Sequence, residues 1–193
     1  MKIGRITLVD AATPTLDPYG AENEKVIAKI FEEPTQFLVA LVTNSDQMRD
    51  ALIRFCDVEK CPLVVTMGGT GPGRHDITPE ATRAILDREL PGFSETMRHY
   101  SYEKTPLAIL SRAIAGVRRD SLVLNLPARP KATRACLHML REPMVECIRV
   151  NTGTDYVLFV DPITIPIEQW FPFLKRFRPK TGFPDSGHPT IGP

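Results

Sequence analysis

The stretch that decides the fold reads Val64-Val-Thr-Met-Gly-Gly-Thr-Gly-Pro-Gly-Arg-His-Asp-Ile-Thr-Pro-Glu-Ala81. Its first four residues end an apolar run, residues 62–67, which predicts a buried strand. Gly68, Gly69, Gly71 and Gly73 then place four glycines within six residues. Thr78-Pro79-Glu80-Ala81 predicts a short helix over 79–86, with Thr78 as N-cap and Pro79 at the first helical position. A strand leading through glycine into a helix is half of a βαβ unit, and such sheets bind ligands beyond the carboxyl ends of their strands.

The same alternation extends outward in both directions. Apolar runs predict strands over 3–9, 37–42 and 121–127, and helical spacing predicts helices over 21–33, 48–55, 91–100, 106–114 and 131–140. Asn44-Ser-Asp offers N-cap chemistry to the second of these helices. Residues 145–150 suggest one more strand. Strands alternating with helices through short loops imply an α/β fold, a three-layer α/β/α sandwich around a mostly parallel, doubly wound sheet. Two further apolar runs, 156–160 and 163–167, are interrupted by prolines. The expected organisation is one α/β domain over 1–180 and a flexible tail over 181–193.

Composition narrows the function. The 193 residues are 42 % hydrophobic and 24 % charged, enough to build a sizeable core, and the net charge is +1. Such a balance predicts neither nucleic acid nor an anionic membrane as partner, so anion binding has to come from local geometry. No apolar stretch approaches the roughly 18 residues of a membrane span, and no leader pattern opens the chain. Cys56, Cys61, Cys136 and Cys147 form no CxxC pair and are expected as buried free thiols in a cytoplasmic protein.

The glycine turn suits a phosphate. Glycines let backbone N–H groups approach an anion, and Thr66 and Thr70 add hydroxyls. Asp76 would repel that anion unless a cation lay between them; Mg²⁺ held by a carboxylate and phosphate oxygens resolves the conflict. The turn and Asp76 thus point to a Mg²⁺–nucleotide site, and equally to a plain turn in which Asp76 caps a helix. A second constellation, Ser111, Arg112, Arg118, Arg119, Arg129 and Lys131, concentrates basic side chains able to bind phosphate. Asn125, at a strand's carboxyl end, could read a base or a ribose. His75 stands beside the glycine motif, whereas His99 and His138 are expected on surface or core helix positions.

Taken in order, the 64–81 block, Arg88-Glu-Leu-Pro-Gly-Phe93, Ile109-Leu-Ser-Arg112, Leu124-Asn-Leu-Pro127 and Phe177-Arg-Pro-Lys180 resemble the molybdopterin adenylyltransferases of molybdenum cofactor biosynthesis, over roughly residues 3–180. The resemblance implies a homotrimer that uses MgATP to adenylylate the terminal phosphate of molybdopterin, releasing pyrophosphate, ahead of a molybdenum-insertion protein. It implies that Gly68, Gly69, Thr70 and Gly71 hold nucleotide phosphates and that Asp76 carries Mg²⁺. It further implies that Ser111 and Arg112 face the molybdopterin phosphate, and that Asn125 and Pro127 line the nucleotide pocket. Asp10 and Asp17 match acids of the family's first loop.

Three positions depart from the family pattern. Asn44 stands where the family has an Asp that works with the Asp76 counterpart, with Asp46 two residues away as a substitute. Ala128 replaces a glycine, and Val9-Asp-Ala11 replaces Ser-Asp-Arg. These departures support an alternative, a non-catalytic pterin- or nucleotide-binding scaffold. An unrelated nucleotide-binding enzyme of the same superfold is a third reading.

Overall fold

The computed structural model describes residues 1–31 and 33–156. In chain order the elements are β1 (Lys2–Leu8), α1 (Gly20–Ala28), β2 (Gln36–Val42), α2 (Ser45–Ile53), β3 (Leu63–Met67), α3 (Thr78–Arg83), β4 (Arg88–Glu89), α4 (Pro91–Lys104), β5 (Ala115–Arg118), β6 (Ser121–Leu126) and α5 (Pro130–Thr152). One sheet carries all six strands in the order β2-β1-β3-β6-β5-β4. The four strands β2, β1, β3 and β6 are parallel, and the β5 and β4 pairings are antiparallel.

Strand alternation builds two cores, one on each face of this sheet. Leu63, Val65 and Met67 of β3 and Leu122, Leu124 and Leu126 of β6 pack with Val26 and Ile27 of α1, Met97 of α4 and Leu137, Leu140, Met144 and Ile148 of α5. On the other face Ile6, Val64 and Val123 meet Met48 and Leu52 of α2, Phe55, and Ala81 and Ile85. The three-layer, mostly parallel sandwich expected from the sequence is the architecture found.

Several local readings change. The apolar run 145–150 continues α5, which passes through Pro143 and stops at Gly153, a left-handed C-cap with φ 68°. Met144, Val145 and Ile148 recur at helical rather than strand spacing and bury against the core. The helix expected over 106–114 is a 3₁₀ turn, Pro106–Leu110, followed by extended chain into β5. Thr78 is not the N-cap of α3. It is the first helical residue, Ile77 occupies the cap without a side-chain bond, and Thr78 is fully buried. The runs after residue 156 and the boundary at 180 lie outside the described residues.

Candidate active site

The chain leaves β1 toward β2 on one side, while β3 sits on the other side of β1 and leads on to β6. Loops after β1 and β3 therefore part at a switch point, where open α/β sheets leave room for a ligand. Gly68 and Gly69 form the floor of this crevice with φ 82° and 65°. A side chain on that backbone would cost about 1–2 kcal/mol. A Cβ on Gly69 would also lie 2.3 Å from Leu8 Cδ2 and 2.5 Å from Thr78 Oγ1.

The turn is tied down at both ends and open in the middle. Gly68 N–H donates to Leu126 O at 3.1 Å, Thr78 N–H to Gly69 O at 3.1 Å, and Thr78 Oγ1 to Gly68 O at 2.9 Å. Farther along, Asp76 N–H donates to Gly73 O at 3.1 Å and Gly73 N–H to Asp76 Oδ2 at 2.9 Å. Between these ties, the N–H groups of Gly69, Thr70 and Gly71 find no acceptor among the described residues. Backbone donors left over in a turn of this kind make an anion nest.

Asp76 is half-buried beside the nest. Its Oδ2 serves Gly73, and Oδ1 takes no hydrogen bond among the described residues. One carboxylate oxygen next to a phosphate nest fits Mg²⁺, which binds through one or two carboxylates plus substrate phosphates and retained waters. Among the described residues, no group of three or more His, Cys, Asp or Glu could hold a metal without such help.

Asn44 and Asp46 serve α2. Asn44 Oδ1 accepts from Gln47 N–H at 3.0 Å as its N-cap, and Asp46 pairs with Arg49, its side chain 81 % exposed. The carbonyl oxygen of Asn44, the atom able to coordinate a metal, is thus engaged in the cap.

Arg112 does not reach into open space. Its N–H donates to Thr70 O at 2.8 Å, its Nε to Gly71 O at 2.7 Å and its Nη2 to Asp76 O at 2.6 Å. Nη1 pairs with Glu80. Burial works against ionisation of Glu80, but the hydrogen bond and charge of Arg112 outweigh it and hold the carboxyl below the usual range. Ser111 lines, with Arg112, a cavity of about 370 Å³ between α3, α4 and the segment before β5. There Arg83 pairs with Glu89 at 2.5 Å, and Arg98 donates to Ala113 O at 2.9 Å and Ser111 O at 3.4 Å.

Asn125 is fully buried and its amide is used inside the protein. Nδ2 donates to Thr66 Oγ1 and Thr82 Oγ1, both at 2.9 Å, and Oδ1 accepts from Ile114 N–H at 3.2 Å. It joins β3, β6, α3 and the approach to β5, and Thr66 is as buried as Asn125. Pro127 follows directly, its carbonyl accepting from Thr133 Oγ1 at 2.7 Å. Ala128 is not among the residues of positive φ, so the alanine in place of glycine carries no backbone strain.

The two acids of the first loop differ. Asp10 is exposed and accepts from Ala12 N–H at 2.8 Å. Asp17 turns inward, pairing with Arg5 and accepting from Thr7 Oγ1 at 3.1 Å. Arg5 also meets Glu24 at 2.9 Å. The basic set divides as well. Arg118 and Arg119 both pair with Asp57 at the amino end of β6, opposite the glycine turn. Arg129 and Lys131 are exposed at the start of α5, on the nest's side of the sheet. Arg5, Thr82, Glu80 and Arg98 escaped the sequence reading of the site, and Thr78 was read only as a helix cap, because their partners lie 10 to 43 residues away with no local pattern to announce them.

Residues 22–146, which span the nest, the cavity and β6, match the family described as a probable molybdopterin binding domain. The chain belongs to this family. The molybdopterin adenylyltransferase of Helicobacter pylori (strain ATCC 700392 / 26695) is 40 % identical over 154 residues, 78 % of this chain and 88 % of that protein. The molybdopterin adenylyltransferase of Escherichia coli K12 is 35 % identical over 145 residues, 74 % of each chain. Among solved structures, the molybdopterin biosynthesis enzyme MoaB of Thermus thermophilus superposes with a TM-score of 0.70 at 36 % identity, covering 81 % of this chain and 99 % of that one. Membership of the molybdopterin-binding family accounts for an α/β sandwich whose glycine turn sits at the switch point.

Proposed function

We propose that the chain is a molybdopterin adenylyltransferase acting in molybdenum cofactor biosynthesis. The observation that carries the proposal is the nest: three consecutive undonated N–H groups, at Gly69, Thr70 and Gly71, beside the free oxygen of Asp76. ATP and molybdopterin are the substrates. An oxygen of the molybdopterin phosphate attacks the α-phosphorus of ATP; a P–O–P bond forms, the bond to the β-phosphate oxygen breaks, and pyrophosphate leaves.

Two anions must meet, so the work of the protein is positioning and charge neutralisation. The nest holds nucleotide phosphates through N–H groups already fixed in place. Asp76 would hold Mg²⁺ together with phosphate oxygens, and the ion would supply charge neutralisation at the transferring and leaving groups. Ser111 faces the molybdopterin side of the reaction. We assign the protein to the cytoplasm as a homotrimer, with its adenylylated product passing to a metal-insertion protein.

An adenylylation assay with molybdopterin and MgATP, reading pyrophosphate, tests this. Turnover in the wild type that drops about 10²–10³-fold in Asp76→Ala is expected; a silent wild type overturns it. The capping role of Asn44 favours a second reading, binding without turnover. Under that reading the wild type is silent and Asn44→Asp gains activity.

A further inference from the structure

Arg112 is the residue that this geometry reassigns. An arginine beside a phosphate site is ordinarily read as a ligand of the phosphate. Here the guanidinium is already engaged on three sides. Nε donates to Gly71 O at 2.7 Å, Nη2 to Asp76 O at 2.6 Å, and Nη1 and Nη2 both approach Glu80, Nη2 at 3.4 Å from Oε2. The backbone joins in, Arg112 N–H donating to Thr70 O at 2.8 Å. Thr70, Gly71 and Asp76 are thereby held by one residue that arrives from the far side of α4.

The direction of these bonds matters. When a carbonyl of a turn is bound from behind, its peptide plane is fixed, and the N–H of the next residue is fixed with it. The backbone N–H of Arg112 binds the carbonyl of Thr70, and its side-chain Nε binds that of Gly71, which precedes Pro72. The first of these peptide units carries the N–H of Gly71, one of the three undonated groups of the nest. Its bond to Asp76 O anchors the residue whose carboxylate closes the nest from the other side. A flexible glycine segment would otherwise lose backbone freedom on binding.

We propose that Arg112 is a positioning residue for the nucleotide: it presets the glycine turn by clamping the carbonyls of Thr70, Gly71 and Asp76, and it does not bind the molybdopterin phosphate. This rests on the nest being the nucleotide phosphate site. The backbone N–H holds Thr70 O whatever the side chain, but a planar fork is required for the rest, because Gly71 O, Asp76 O and Glu80 lie in different directions and cannot all be met by the single ammonium of lysine. Glu80 completes the clamp by occupying the remaining face of the guanidinium.

The test compares wild type, Arg112→Lys, Arg112→Met and Glu80→Gln. Steady-state KM is read separately for MgATP and molybdopterin, and MgADP binding is measured by calorimetry without pterin. Both Arg112 variants are expected to weaken MgADP binding and raise KM for MgATP about tenfold or more, with KM for molybdopterin within twofold of wild type. Lysine is expected to restore little. Glu80→Gln leaves the three carbonyl bonds in place and is expected to leave KM for molybdopterin unchanged.

A rise in KM for molybdopterin with MgADP binding unchanged overturns the proposal, as does full rescue by lysine, which would make the charge alone decisive. If the Arg112 variants fail to fold, Glu80→Gln still decides. Tighter molybdopterin binding, from an arginine released to meet substrate, overturns the proposal, and unchanged binding supports it. MgADP that fails to bind the wild type removes the nucleotide-site reading itself, a result distinct from any outcome among the variants.

Discussion

Replacing Asn125 with leucine separates a structural from a ligand-reading role at the end of β6. The two side chains have similar shape, so cavity effects stay small and the change is largely one of hydrogen bonding. Three bonds are lost at a fully buried position, to Thr66 Oγ1, Thr82 Oγ1 and Ile114 N–H. At about 1 kcal/mol net each they account for ~3 kcal/mol. The threonine hydroxyls can rotate toward backbone carbonyls, but the Ile114 side-chain-bound N–H has no such freedom, and stranding it costs about 1 kcal/mol more. A loss of ~3–5 kcal/mol is therefore expected, or roughly 10 °C in midpoint for a chain of this size. Urea unfolding with a freely fitted slope measures it, alongside MgADP binding on the folded fraction. A loss below about 1 kcal/mol together with a large loss of MgADP affinity would refute the reasoning and return Asn125 to the ligand.

Gly69→Ala should lose about 2–4 kcal/mol from its φ of 65° and the clash with Leu8 and Thr78, visible by calorimetry, and MgADP affinity should fall with it. Arg5→Met should cost about 3–5 kcal/mol by stranding the largely buried carboxylate of Asp17, and thermolysin should then cut the 11–19 loop faster. Lys60→Gly should stabilise by about 1 kcal/mol in urea, because Lys60 sits at φ 52° just after a helical turn, where glycine is at ease. Burial pushes the thiols up, to about 12 for Cys56 and about 11 for Cys61 and Cys136. Unfolded thiols ionise from about pH 9 while the folded ones stay neutral, so this contribution is intact below pH 9 and is lost progressively between 9 and 11–12. Falling stability in alkaline urea titrations, and Ellman's reagent reacting with these three only on unfolding, check it.

The sheet was legible where burial on both faces wrote near-continuous apolar runs, as in β3 and β6, and where β1 set β-branched residues around Arg5. It was not legible at β5, where Ala115-Gly-Val-Arg118 carries a single β-branched residue, or at β4, only two residues long. The last turns of α5 were misread as a strand over 145–150 because that run is apolar, although Met144 and Ile148 keep the helical period. At the site, the glycine block announced a turn of positive φ, because values of 82° and 65° leave little choice of residue. Asn125 was misjudged from its place at a strand end. Alternation with Val123 turns it inward, toward the face packed by α3. Arg112 was read as a cation for a phosphate, but its acceptors in the structure are carbonyls and the carboxylate of Glu80, and bonded carbonyls leave no trace in a sequence.

The bond from Arg112 to Gly71 O spans 41 residues of chain. On a ribosome adding about 5–20 residues per second, roughly 2–8 s separate synthesis of the glycine turn from synthesis of its clamp. Through that interval β3 can already have met β1, yet the loop beyond it has nothing to hold its shape. The newborn chain thus gains its central strands before its glycine turn is held, and the nest takes its shape only in molecules that have completed the far edge of the fold.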